Sequence, residues 1–197
     1  MEISRIRNIS SAYHWNEMMV QMLFSRQLMN IKTSRLIITT FSTDMAQSVY
    51  ENSQDDDTRR FVPDEVYESV EDARAAIEFL ISRYDSSDGP FVYLIITNDG
   101  GKNIGYVQLC QIDDGTWEIG YHIAKQFTGK GYATEAVKAF LPTMAKKLNI
   151  KEVYGICLAE NAASVRVLEK CGFVKIYQGL GNYQGNKSEI VKFIWKK

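Results

Sequence analysis

Trp117-Glu-Ile-Gly-Tyr-His-Ile-Ala-Lys-Gln-Phe-Thr-Gly-Lys-Gly-Tyr-Ala-Thr-Glu135 carries more information than any other stretch of the chain. Its first half, Trp117–Ile123, has the aromatic and β-branched content of a strand. The strand runs into Gln126-Phe-Thr-Gly-Lys-Gly, and a helix begins at once. Glycines at 129 and 131 permit a turn whose successive N–H groups converge, and the helix N-terminus adds partial positive charge. Such a turn can bind a pyrophosphate, with Lys130 as an added point charge. Other phosphate loops fit poorly. A P-loop wants Lys-Ser/Thr after its second glycine, whereas Gly131 is followed by Tyr132-Ala133. A dinucleotide fingerprint wants a small residue where Thr134 stands, and an early place in the chain. On these letters alone, a purely structural turn is the alternative.

Reading outward toward the C-terminus, the pattern predicts a helix over Gly131–Leu148, with a kink near Leu141 imposed by Pro142. A strand Glu152–Leu158, a helix Ala162–Cys171, and a strand pair Phe173–Leu180 and Ile190–Trp195 follow. Toward the N-terminus, Phe91–Thr97 and Ile104–Ile112 read as strands, punctuated by Asn98-Asp-Gly-Gly and Asp113-Asp-Gly-Thr. Upstream of these, Ser69 is the predicted cap of a helix reaching about Tyr84, with Asp72 in the position of a capping-box acid. Thr43–Asp44 caps a shorter helix to about Ser53. Asp55–Asp57 and Arg59-Arg60 form a polar connection, and Arg35–Phe41 reads as a strand. Strands followed by alternating helices and strands predict a mixed α/β (α+β) sheet.

After one intervening strand comes Asn161-Ala-Ala-Ser-Val-Arg-Val-Leu-Glu-Lys-Cys-Gly-Phe173. Here the sequence resembles the GNAT acetyltransferase superfamily. Gln126-Phe-Thr-Gly-Lys-Gly is similar to that family's pyrophosphate loop, and Asn161–Phe173 to its second coenzyme-contacting helix. Thr33-Ser-Arg-Leu-Ile-Ile-Thr and Glu118-Ile-Gly-Tyr resemble the branch that acetylates the N-termini of ribosomal proteins. The resemblance spans about Thr33 to Trp195.

The resemblance implies a mostly antiparallel sheet, flanked by helices and splayed between the fourth and fifth predicted strands, Trp117–Ile123 and Glu152–Leu158. It implies acetyl-coenzyme A as cosubstrate and direct attack by an amine. His122, Ile123 and Ala124 would meet the pantetheine through their backbone. Gln126, Phe127, Thr128, Gly129, Lys130, Gly131, Tyr132, Ala133 and Thr134 would cradle the pyrophosphate, and Asn161 and Ser164 would contact the coenzyme from the second helix. An attacking amine must be neutral, so a general base is expected. Glu118 is the candidate, the alternative being a strand carboxylate in a structural ion pair or at a solvated sheet surface. The Tyr that many members use to reprotonate the thiolate falls at Leu168, so the usual acid is missing. Ser164 either takes that role or only contacts coenzyme or backbone. A thiol of pKa about 8.5 leaves tolerably without an acid.

His122 lies about 13 Å along an extended strand from Glu118, too far for a dyad, and reads as a structural or cleft-lining residue. Asp55–Asp57 either attract a cationic acceptor or sit solvated in a turn. Acceptor identity, whether a protein N-terminal α-amine or a small amine, is expected in Thr43–Glu68 and in a Gln178–Ser188 loop. Tyr183 of that loop either touches the acceptor or is a surface aromatic.

Composition narrows the classes. With 23 Lys and Arg against 24 Asp and Glu, the chain lacks the basic surplus that phosphate neutralisation requires, so nucleic acid is not an expected partner. Apolar runs are strand-sized, and Met1–Asn30 lacks a signal-like apolar core, so no membrane span and a cytoplasmic location are expected. Cys110, Cys157 and Cys171 form no CxxC pair and read as reduced packing thiols. With His14 and His122 as the only histidines, no metal site is expected. Residues 1–32 form an expected N-terminal extension to an acetyltransferase domain at 33–197. Within the extension, Tyr13–Asn30 predicts an amphipathic helix that packs on its own domain, on a twin subunit in a homodimer, or on a partner. A coenzyme-binding sensor that has lost activity is the alternative function.

Overall fold

Phe91–Thr97 has an apolar residue at almost every position, the pattern of a strand covered on both faces. It is the third of eight strands found among the described residues. The computed structural model describes residues 29–197 apart from 113 and 114. The strands are β1 (Asn30–Lys32), β2 (Leu36–Thr39), β3 (Phe91–Thr97), β4 (Asn103–Gln111), β5 (Trp117–Ile123), β6 (Glu152–Leu158), β7 (Val174–Tyr183) and β8 (Asn186–Lys196). They form one sheet in the order β1-β2-β3-β4-β5-β6-β8-β7. Every neighbouring pair is antiparallel except β5–β6. The helices are α1 (Ala46–Asn52), α2 (Asp56–Phe61), α3 (Val70–Arg83), α4 (Tyr132–Lys147) and α5 (Ala162–Lys170).

Alternation along β3 and β4 sorts the core. Phe91, Tyr93, Ile95, Val107 and Leu109 face α4, whose Ala136, Val137, Phe140 and Met144 complete the larger cluster. Val92 and Leu94 face the other way, toward Phe41, Ala46 and Ile77, under α1 and α3. α4 is the crossover that a parallel β5–β6 pair demands. It continues through Pro142 to Lys147. One turn is reinforced by the Thr143 hydroxyl, which donates to the Ala139 carbonyl at 2.9 Å.

The splay falls where it was expected, between β5 and β6. These strands hold register at one position, Glu118↔Tyr154, whereas β4 and β5 pair continuously from Gly105↔Ile123 to Gln111↔Trp117. Ser69 caps α3 by accepting from the Asp72 N–H, and its own hydroxyl donates back to the Asp72 carboxylate at 2.7 Å.

Two expectations need correction. Asn30–Lys32 is a strand paired with Ile37–Thr39, so the sheet begins before residue 33 and no helix reaches Asn30. The rest of the predicted helix, residues 13–28, lies outside the described residues. The expected Gln178–Ser188 loop is instead the tip of a β7–β8 hairpin paired out to Tyr183↔Asn186. Gln184 (φ 50°) and Gly185 (φ 79°) supply the two left-handed residues of a tight hairpin turn. Of the predicted Asp113-Asp-Gly-Thr turn, Asp113 and Asp114 also lie outside the described residues.

Gly105 adopts φ 142°, and a methyl group there would run into the His122 carbonyl. Gly105→Ala is therefore expected to lower the unfolding free energy by about 2 kcal/mol or more, measured by urea denaturation.

Candidate active site

A short 3₁₀ turn, Lys125–Phe127, leads from β5 to the glycine turn. Gly129 (φ 75°) and Gly131 (φ 81°) are both left-handed, which only glycine adopts without strain. Gly131 opens α4, and its carbonyl takes the first helical bond from the Glu135 N–H at 3.1 Å. The N–H groups of residues 131–134 therefore have no helical acceptor and point out of the helix end, where an anion would be held.

A distant segment fixes this turn. The Arg35 guanidinium donates to the Lys130 carbonyl at 2.9 Å, pairs with Glu135 at 2.6 Å, and lies 4.7 Å over the Tyr132 ring. Glu135 also accepts from the Thr33 hydroxyl at 2.6 Å, the Ser34 hydroxyl at 3.0 Å and the Arg35 backbone N–H at 3.0 Å. Burial alone would raise the Glu135 carboxyl; these donors outweigh it and hold it below the ordinary carboxylate value.

From the glycine turn a cleft of about 740 Å³ runs between β5 and β6. Glu118, His122 and Ile123 line it from β5, Phe127, Thr128 and Gly129 from the turn, and Gly131, Tyr132, Ala133 and Thr134 from the start of α4. Asn161 and Ser164 line it from α5. Three predicted residues stand apart. Gln126 turns away to Asn52, and Lys130 is exposed, with Nζ 5.6 Å over the Phe127 ring. Ala124 is buried, with its N–H given to the Ile104 carbonyl and its carbonyl taken by Phe127. Because that N–H faces β4, alternation turns the polar groups of Ile123 and Tyr121 toward β6 and the open cleft.

Glu118, Gly120 and His122 share one sheet face and stand opposite Cys110, Gln108 and Tyr106. Burial pushes the Glu118 carboxyl up to about 7, against the opposing pull of the Ile156 N–H and the Lys192 charge. His122 Nε2 lies 2.8 Å from the hydroxyl of buried Thr58, and its ring stacks on Tyr106 with centroids 5.7 Å apart. Burial lowers its basicity while Asp55 partly restores it, so the imidazole is a neutral strut that docks α2 on β5.

On α5, the Asn161 side chain caps the helix by accepting from the Ser164 N–H at 3.1 Å. The Ser164 carbonyl accepts from the Tyr121 hydroxyl at 3.1 Å, which brings a second hydroxyl to this turn. Leu168 is buried, and its side chain fills the space above Gly155 where a Cβ would otherwise sit. The three cysteines are free, and burial pushes Cys110 to about 12 and Cys157 and Cys171 to about 11, which keeps them as thiols.

Asp55 and Asp57 are structural in part. Asp55 caps α2 and accepts from the Lys125 N–H, while Asp57 pairs with the Lys125 ammonium at 2.6 Å and also lines the cleft. Tyr183 is half-buried in the cleft wall and donates to the Phe61 carbonyl at 2.9 Å. Arg60 of α2 pairs with Glu160 before α5 at 2.7 Å, tying the two segments together.

Sequence reading missed Glu65, Tyr121, Arg166 and Lys170, which all line the cleft. Arg166 and Lys170 were legible as cations one helical turn apart on α5. Glu65 sits in a short 3₁₀ turn, Pro63–Glu65, with no periodicity to give it away. Among the described residues no group of His, Cys, Asp and Glu could hold a metal ion, and no helix is long and apolar enough to cross a membrane.

The family model described as acetyltransferase (GNAT) domain matches residues 35–174. YnaD of Bacillus subtilis (strain 168), an uncharacterized N-acetyltransferase, is 31% identical over 145 residues, covering 73% of this chain and 82% of that protein. RimL, a ribosomal L7/L12 alpha-N-protein acetyltransferase solved with coenzyme A, shares the fold at a TM-score of 0.71 and 15% identity, over 85% of this chain and 98% of its own. MccE, a microcin C7 self-immunity acetyltransferase solved with acetyl-coenzyme A and AMP, shares it at 0.70 and 19% identity, over 84% and 94%.

The raised Glu118 carboxyl has a consequence for stability. Its folded-state value exceeds the unfolded value of 4.5, so the folded state loses stability as pH rises through about 7 and bears no penalty below 4.5. Glu118→Gln should match wild type in melting temperature below that lower value. Above pH 7 it should be more stable, on the order of 1–2 kcal/mol once partial solvation of the carboxyl is allowed for.

Proposed function

Because the chain belongs to the GNAT acetyltransferase family and is an acetyltransferase, we propose that it moves the acetyl group of acetyl-coenzyme A to a primary amine by direct attack in a ternary complex. The observation that carries this reading is the cleft itself. It joins a helix end with free N–H groups at one side to a half-buried carboxyl pushed up to about 7 at the other.

In this reading the free N–H groups of α4 hold the pyrophosphate, with Arg35 keeping the turn in shape. The pantetheine lies along the exposed edge of β5, where Tyr121 and Ile123 offer backbone groups. When bound, acetyl-coenzyme A supplies an activated thioester carbon and a thiolate leaving group. Fixed backbone donors on the β5 edge stabilise negative charge developing on the thioester oxygen. The amine nitrogen forms the new N–C bond as the C–S bond breaks. Glu118, its carboxyl raised toward neutral pH by burial, takes the amine proton directly or through a water. The Ser164 hydroxyl at the start of α5 is the available donor for the sulfur, since the Tyr121 hydroxyl already donates to the Ser164 carbonyl. Burial raises the tyrosine pKa and keeps that hydroxyl protonated. The acceptor is a protein N-terminal α-amine or a small amine; RimL, which shares the fold, is a ribosomal-protein alpha-N acetyltransferase.

Free-thiol release from acetyl-coenzyme A against N-terminal peptides, spermidine, aminoglycosides and amino-acid amides tests the reading. Release with one class is expected, with kcat lowered about 100-fold in Glu118→Gln. In wild type the rate should rise through about pH 7, a limb absent from the variant. An unchanged kcat in Glu118→Gln removes the base assignment. No release with any amine, while acetyl-coenzyme A still raises the melting temperature, points instead to a coenzyme-binding sensor. Arg35→Ala is expected to weaken that thermal shift, corresponding to about tenfold lower affinity.

A further inference from the structure

We propose that the acceptor is a primary amine bearing an apolar side group of isobutyl to benzyl size, seated in a second pocket beside the cleft, with Glu65 receiving the ammonium where the two voids join. This rests on the acetyltransferase reading above and narrows its acceptor.

The second pocket has a volume of about 230 Å³ and lies under α1 and α3, on the face of the sheet where Glu118 projects. Its walls are mostly apolar, with Phe41, Ile77, Leu80 and Leu94 among them and Asn52 and Asn103 at the polar side. An apolar cavity of about 150 Å³ admits a benzene-sized guest, so this one accommodates a leucine or phenylalanine side group. The smaller core cluster on this face closes around the pocket without filling it.

The pocket opens toward the chemistry. Thr58, Glu65, Tyr106, Gln108, Cys110 and His122 line both the pocket and the cleft. Cys110 stands directly across the strand pair from Glu118, so the junction lies about 5 Å from the proposed base at the level of the backbone. An amine held there and its α-substituent would therefore divide naturally between cleft and pocket.

Glu65 supplies the charge. Its backbone N–H donates to the Val62 carbonyl at 2.9 Å, but its carboxyl has no hydrogen bond or ion pair with another described residue. Burial, with the neighbouring Asp64 charge, pushes its carboxyl up to about 8. A cation arriving beside it would favour its ionised form, so the ammonium docks there first, and Glu118 then takes the proton that frees the amine for attack. The apolar walls disfavour acceptors that would place a second charge in the pocket, such as polyamines and aminoglycosides.

The test uses the full chain, with thiol release measured for the amides of glycine, alanine, leucine, phenylalanine and lysine, and for spermidine. Leucinamide and phenylalaninamide are expected to exceed glycinamide in kcat/KM by about 30-fold or more. Ala76→Trp places an indole in the pocket from α3 and is expected to bring that ratio close to one; a thermal shift with acetyl-coenzyme A verifies that the variant is folded. Glu65→Gln should raise KM about tenfold for every cationic acceptor with little change in kcat. Turnover without size preference, or a preference for lysinamide or spermidine, overturns the proposal and leaves the acetyltransferase reading standing. A ratio that survives Ala76→Trp also overturns it. No release with any amine overturns both.

Discussion

β5 and β6 meet at a single register position, and the functional architecture follows from that restraint. A parallel pair that continued past Glu118↔Tyr154 would satisfy its backbone groups and leave no cleft. Because it stops there, the β5 edge near Tyr121 and Ile123 carries N–H and carbonyl groups that a bound chain can satisfy. Leu168 keeps the strands apart on one face by occupying the space over Gly155. α2 and His122 hold the other face, and α4 begins at the point where the parting strands have made room for its N-terminus.

The same parting accounts for Glu118. On a closed sheet this carboxylate would face a neighbouring strand or water. Here it is half-buried against the cleft, and burial outweighs the Ile156 N–H and Lys192 in setting its affinity for a proton. The group is costly to the folded state for the reason that makes it useful near neutral pH. Glu65 repeats the arrangement nearby, so Glu118 and Glu65 both stand above their ordinary values while Glu135, ringed by donors outside the cleft, stands below.

Much of the fold was legible because its signals are local. The glycine turn, the capped helices and the strands from Phe91 to Ile123 each announce themselves within a dozen residues. Two boundaries were not. Asn30–Lys32 is too short and polar to read as a strand, and forms one through pairing with β2. Gln184-Gly185 lacks the usual asparagine or aspartate of a tight hairpin, and Gly179 and Gly181 weaken the strand pattern beside it, so the hairpin tip read as a loop. At the site, Glu118 and Ser164 were found through a resemblance in ordered motifs and do line the cleft. Ala124 could not be judged from letters, because its main-chain groups are committed to Ile104 and Phe127. Glu65 could not be seen either, since its significance depends on two voids that meet only in three dimensions.

The link between Arg35 and the glycine turn also bears on how the molecule is made. Arg35 and Glu135 are 100 residues apart, so during synthesis the early segment waits for most of the sheet before its partners exist. The closure entropy of so long a loop must be met by the core beneath α4 before the guanidinium can grip Lys130. Until then the polypeptide has no shaped anion site, however much local helix it has formed. Competence to hold a cosubstrate thus arrives in one late event, and the bound cosubstrate, by favouring the native state alone, draws the folding equilibrium further toward it.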